Sequence, residues 1–172
     1  MLLPTRAGWA FALKGCARHL RKFWFVYVPC AALFAWGQAH YRVGVNVTKS
    51  LPYRLFFVSL DERPSKVGEY VSFEWRRDQF YQPDFLFTKK IVGVAGQKIT
   101  VEGQDVYLDG QLVAHAKTVS SHGVPLQTIE PGVIPPGQFF VLATHPDSLD
   151  SRYKVTGLVG EDRIVGKAYV LF

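Results

Sequence analysis

Between Phe23 and Ala39 the chain reads FWFVYVPCAALFAWGQA, seventeen residues without a formal charge. At about 1.5 Å per residue, a helix of that length spans roughly 25 Å, the short end of a membrane crossing. Trp24 and Trp36 stand near its two ends, where indole rings favour a membrane–water interface, and Pro29 is tolerated by a helix in lipid. Arg18, Arg21 and Lys22 precede the run directly. By the positive-inside rule, residues 1–22 form a cytoplasmic basic N-terminus, residues 23–39 a transmembrane anchor and residues 40–172 an exported domain. Two readings compete: a cleaved leader with small residues at Gly37 and Ala39, and a buried core helix. The first of these still exports residues 40–172.

The net charge of +6 belongs mostly to that N-terminus. Arg6, Lys14, Arg18, Arg21 and Lys22 give +5 with no acid among residues 1–22, and fifteen bases face fourteen acids in the rest. A nucleic-acid-binding protein spreads its bases over a recognition surface, so no nucleic acid is expected as partner. The two cysteines, Cys16 and Cys30, cannot supply a disulfide framework.

After residue 40 short β-branched and aromatic runs alternate with Gly, Pro and Asp turn signals. Strands are expected at Leu55–Ser59, Tyr70–Glu74, Phe87–Val94, Lys98–Val101, Val106–Leu108, Gln111–Ala114, Phe139–Ala143 and Lys167–Leu171. Asp109-Gly110 between VYL and QLV is a two-residue hairpin signal of type I′. Residues 102–133 are less regular and read as a small appended subdomain. The fold class is mainly β.

None of the five histidines has a partner at metal-ligand spacing, and each reads as a surface or loop residue. Gly93-Val94-Ala95-Gly96 lacks the Lys-Ser/Thr of a phosphate loop, and no GxSxG occurs. No metal and no cofactor is therefore expected. What remains is a serine and a lysine. Ser50 lies about ten residues past the uncharged run, in Thr48-Lys49-Ser50-Leu51-Pro52. A serine hydroxyl attacks only when a base takes its proton, and a lysine is that base only when burial keeps its amine neutral. In a strand, alternation sets Phe87, Lys89 and Ile91 on one face and Lys90 on the other. Pattern alone leaves open a solvated strand lysine and a serine in a turn.

Four ordered segments resemble the signal peptidase I clan of membrane-bound Ser/Lys proteases (peptidase family S26). Thr48-Lys49-Ser50-Leu51-Pro52 resembles its nucleophile box, and Val67-Gly68-Glu69-Tyr70-Val71-Ser72-Phe73 the strand that follows. The run from Lys89-Lys90-Ile91-Val92-Gly93 to Ile99 resembles the general-base box, and Ser148-Leu149-Asp150-Ser151-Arg152-Tyr153 the last box. Ser50-Leu51-Pro52 is most similar to the conjugative-transfer, TraF-type branch. The resemblance implies an antiparallel β domain on a single N-terminal transmembrane helix, at a bacterial inner membrane with the catalytic domain periplasmic. It implies Ser50 as nucleophile, Lys89 as general base, and Thr48 with the Ser50 N–H as oxyanion donors. It further implies Ser148 orienting the amine, and Asp150 and Arg152 supporting the site. Leu51, Phe87, Ile91 and Val141 are expected to line small apolar substrate pockets. The implied substrates are preproteins or pilin precursors, alongside other conjugation or secretion components. A general signal peptidase and a non-catalytic membrane-anchored assembly subunit are the alternatives. Ala95, Gln97 and Leu142-Ala143-Thr144-His145-Pro146 depart from the family's boxes, the last in loop geometry above all.

Overall fold

The computed structural model describes residues 6–48, 50–75 and 85–172, with side chains from residue 14 onward. The chain forms two units that part between His40 and Tyr41.

The first unit is helix α1, Arg6–His40. Its regular backbone breaks at Phe23 (φ −113°, ψ 18°), where the basic block gives way to the uncharged run. Trp24, Phe25, Val28, Leu33, Phe34 and Trp36 all expose more than half their surface. Among the described residues no helix is long and apolar enough to cross a membrane. The expected transmembrane anchor at residues 23–39 is corrected accordingly. The seventeen uncharged residues are barely long enough for a span, and Trp24, Tyr27, Pro29, Trp36 and Gln38 dilute their hydropathy.

The second unit is built from antiparallel strands: β1 (Tyr41–Val45), β2 (Leu55–Ser59), β3 (Tyr70–Glu74), β4 (Leu86–Gly93), β5 (Lys98–Glu102), β6 (Asp105–Leu108), β7 (Gln111–His115), β8 (Gly132–Val133), β9 (Gln138–Leu142), β10 (Val159–Gly160) and β11 (Ile164–Val170). Seven of them form one sheet in the order β1-β2-β11-β3-β4-β9-β10, and the other four a second sheet in the order β7-β6-β5-β8. The eight segments expected as strands are all strands, with ends displaced by up to three residues. Three strands escaped the pattern: β1 and the two-residue β8 and β10. Asp109 (φ 49°) and Gly110 (φ 82°) both take left-handed backbone, as a type I′ turn demands, and join β6 to β7.

Strand β9 shows why the sheets stay together. Phe139 and Val141 point into a core with Val71, Phe73, Trp75, Ile91, Val159 and Ile164. Phe140 and Leu142, on its other face, pack with Ile99, Val106 and Leu108 of the second sheet and with Ile134 just after β8. A strand buried on both sides reads as an unbroken apolar run, which is what QFFVL is. Gly93 completes the seam: a Cβ there would sit 2.8 Å from Leu108, 2.9 Å from Ile134 and 3.0 Å from Phe140. The seam holds the end of β4 in place, and β4 carries Lys89.

Strand β11 ties β2 to β3, and the β3 pairing is irregular between Ile164 and Gly166. A Cβ on Gly166 would lie 2.0 Å from the Ser59 carbonyl oxygen. Backbone cannot yield as a flexible side chain does, so Gly166→Ala is expected to destabilise the domain by about 1–3 kcal/mol. Urea unfolding measures this, and an unchanged midpoint would show that β2 and β11 are further apart than described.

Candidate active site

Strand β4 places Lys89 by simple alternation. Its register partner on β3 is Val71, and its neighbours along the same face are Phe87 and Ile91. Lys89 is 1% exposed, whereas Lys90 is exposed. The amine thus sits among apolar groups, with Nζ 5.6 Å from the Phe87 ring centroid. It donates to Ser148 Oγ at 2.5 Å. Burial pushes the Lys89 pKa down to about 8; Asp150 opposes that shift and Arg152 adds to it.

Ser50 approaches from the segment after β1. Its side chain is nearly buried, and its carbonyl is held by three donors. These are the Thr144 and His145 N–H groups, each at 3.1 Å, and Thr144 Oγ1 at 3.2 Å. Residues 46, 48 and 50 lie at period two, and their side chains meet. Thr48 Oγ1 lies 3.1 Å from both Ser50 Oγ and Asn46 Oδ1 and donates its one proton to either. Ser50 Oγ donates to Asn46 Oδ1 over a long 3.4 Å. Asn46 Nδ2 in turn donates to the carbonyls of Leu51 and Tyr53 at 3.1 and 3.0 Å. Asn46 therefore sets the shape of the nucleophile turn. Sequence reasoning missed it, although its place two residues before Thr48 was the available signal.

Ser50 and Lys89 line one cavity of about 240 Å³, together with Thr48, Phe87, Ser148 and the His145-Asp147 turn. Within the described residues, hydrogen bonds link Lys89 to Ser148 and Ser50 to Asn46 and Thr48, rather than the two to each other. A second cleft of about 310 Å³ meets this one at Thr48, Ser50 and Phe87 and runs between β1 and the start of β4.

Behind the cavity lies a buried ion pair. Asp150, 0% exposed, accepts from Arg152 Nε at 2.8 Å and Nη2 at 2.9 Å, and from the Ala143 N–H at 2.9 Å. Arg152 also donates to the carbonyls of Ala143 and His115. Ser151 accepts from the Val141 N–H at 3.0 Å. These bonds fasten the Ser148–Arg152 segment to β9. Ser148 thereby reaches Lys89, and the loop ahead of it reaches Ser50.

The substrate-pocket expectations divide. Phe87 lines both cavities. Leu51 is buried in a small core with Phe56, Val58, Ala143 and Ala168. Ile91 and Val141 are corrected: both are 0% exposed, face each other across β4 and β9, and belong to the core. The alternation that turns Lys89 inward also carries Ile91 past the cavity. Among the described residues no cluster of His, Cys, Asp and Glu has the arrangement to hold a metal ion. His145, expected as a surface or loop residue, lies in the loop after β9 and is half-buried in the cavity wall.

The buried amine has a stability signature. Lys89 keeps its proton up to about 10.5 in the unfolded chain and releases it near 8 in the folded one. Between those values the unfolded state binds more protons, so stability rises with pH across that window. Lys89→Met is expected to raise the unfolding free energy at pH 7 by about 1–3 kcal/mol, with the gap closing toward pH 10.5. Denaturant unfolding at several pH values checks both the sign and the window.

A family model described as signal peptidase, peptidase S26, matches residues 18–172. Conjugal transfer protein TraF of Agrobacterium fabrum is 28% identical over 146 residues, covering 74% of this chain and 81% of that protein. Signal peptidase I T of Bacillus subtilis is 31% identical over 94 residues, so this chain spans about half (48%) of its length. A signal peptidase I structure from Enterococcus faecalis superimposes with a TM-score of 0.37 at 20% identity, over 65% of this chain and 100% of that one.

Proposed function

The chain belongs to the signal peptidase, peptidase S26, family, and from that premise we propose that it is a serine endopeptidase in which Ser50 attacks and Lys89 is its base. The observation that carries this reading is the Lys89 amine, buried in the cavity that also holds the Ser50 hydroxyl. An amine with a pKa of about 8 is a usable base near neutral pH, and Ser148 fixes its direction.

In the proposed reaction Lys89 Nζ takes the Ser50 Oγ proton as Oγ bonds to the substrate carbonyl carbon. The oxyanion lies against Thr48 Oγ1–H and the Ser50 N–H. Such a donor typically contributes about 2.7–4 kcal/mol to lowering the barrier. Collapse breaks the C–N bond, and Lys89 gives its proton to the departing amine. Water, activated by the same lysine, then cleaves the ester. An amine of the substrate entering instead joins two peptide ends.

The substrates proposed are leader or pilin-like precursors, bound as an extended strand, in conjugative transfer. Support for that setting is the likeness to a conjugal transfer protein along 74% of the chain. The proposed location is the bacterial inner membrane, with α1 at the membrane surface and the protease domain periplasmic. It is supported by the basic residues Arg18, Arg21 and Lys22 beside the exposed apolar side chains of α1. Added protease is expected to reach residues 40–172 in intact spheroplasts, and the membrane fraction to retain the chain. The opposite pattern would remove the location.

Cleavage of a co-expressed precursor, followed by mass spectrometry, tests the chemistry. Ser50→Ala and Lys89→Met are each expected to abolish it, a loss of at least about 10³-fold. Lys90→Met, on the exposed face, is expected to stay within about twofold of wild type. Retained cleavage in Ser50→Ala would move the nucleophile elsewhere. Wild-type activity on a neutral substrate is expected to rise through pH 8 as Lys89 loses its proton.

A further inference from the structure

The two cavities that meet at Ser50 differ in chemistry. The larger is walled by Val43, Val45, Phe56, Val58 and Phe87. The smaller passes Lys89 and Ser148 and ends at His145, Asp147 and Leu149. The proposed reaction assigns them to opposite halves of a substrate. Lys89 must hand its proton to the leaving nitrogen as the C–N bond breaks, so the leaving half departs on the lysine's side of Ser50. That side is the smaller cavity. The half retained as the ester then lies in the larger, apolar one.

His145 is built into the wall of the leaving side at three points. Its N–H holds the Ser50 carbonyl at 3.1 Å, and its carbonyl accepts the Ser148 N–H at 3.1 Å. Its ring Nδ1 accepts the Asp147 N–H at 3.2 Å. A neutral imidazole that accepts at Nδ1 carries its proton at Nε2. Nε2 has no hydrogen-bond partner among the described residues, and His145 lines the cavity. The Asp147 carboxylate beside it is already engaged by Lys117 Nζ. A donor set in a cavity wall by its own backbone, yet unmatched among the described residues, is poised for a peptide carbonyl.

We infer that His145 is a substrate-binding residue for the segment after the cut, its Nε2–H donating to a backbone carbonyl of the leaving half. The inference rests on the Ser50/Lys89 reading. It also bears on peptide joining, because an incoming amine must enter by the side from which the first amine left.

The test compares two probes with the same sequence before the cut. One is a peptide extended several residues beyond it, taken from the precursor cleaved in the co-expression assay. The other is a methyl ester ending at the cut, whose leaving group is methanol and brings no carbonyl into the leaving-side cavity. The informative variant is His145→Asn, because an Asn side-chain oxygen can still accept the Asp147 N–H while the Nε2 donor is lost. It is expected to lower kcat/KM for the extended peptide about tenfold, mainly through KM, and to leave the ester within about twofold. Equal loss on both probes would make His145 a support for Ser50 alone and overturn the assignment. No loss on either would also overturn it. Ser50→Ala, run in parallel, separates the two levels. If it keeps both activities the dyad falls and the His145 assignment with it. If it loses both while His145→Asn behaves as wild type, only the assignment falls.

Discussion

Everything distinctive in this domain turns on keeping one lysine amine out of water. Lys89 is 1% exposed, hydrogen-bonded to Ser148 and with an aromatic ring nearby. A cation there is poorly solvated, and its pKa of about 8 expresses that cost. The Asp150 carboxylate would draw the lysine's proton back, but Arg152 holds that carboxylate through two short bonds. The buried ion pair thus serves two ends. It anchors the segment bearing Ser148, and it keeps a negative charge from being left to the lysine alone.

The sheets exist, in this view, to bring three distant stretches of chain to that amine. Strand β4 carries it, held on one edge by β3 and on the other by β9. The Thr144-His145 loop after β9 grips the Ser50 carbonyl, and the bonds of Ser151 and Arg152 return the chain to β9. Because β9 is buried on both faces, a shift of that strand would disturb two cores at once. Rigidity at the site therefore comes from packing some distance away, at Gly93, Phe140 and Leu142. Open space is kept on the other side of Ser50, where the two cavities meet.

Much of this was legible in the residues. Period-two alternation placed Lys89 inward and Lys90 outward without any structure. Asp109-Gly110 announced its own hairpin, because few other pairs accept two left-handed residues in succession. The four ordered boxes gathered Thr48, Ser50, Lys89, Ser148, Asp150 and Arg152, and the fold brings all six to one region. The errors have a common cause. Ile91 and Val141 looked like pocket residues because apolar neighbours of a reactive lysine can face either a cavity or a core, and alternation does not tell which. Strands β8 and β10 are two residues long, and β1 carries a glycine and an arginine in five; pairing with other strands defines all three. The uncharged run was read by length and lack of charge, whereas its aromatic, proline and glutamine content lowers its hydropathy below that of a spanning helix.

The amino-acid sequence by itself determined the residue types, the strand periodicity and the order of the boxes. Those are local properties, set by side-chain chemistry and by spacing along the backbone. Only the tertiary structure decided which apolar residues became core and which became cavity wall. It alone set the loop residue His145 in the cavity wall, and it alone revealed Asn46 as the partner of the nucleophile turn. The physical reason is that burial and hydrogen-bond partnership are relations between segments far apart in the chain. Ser50 and Thr144 are separated by more than ninety residues yet bonded at 3.2 Å, and no local pattern encodes that meeting.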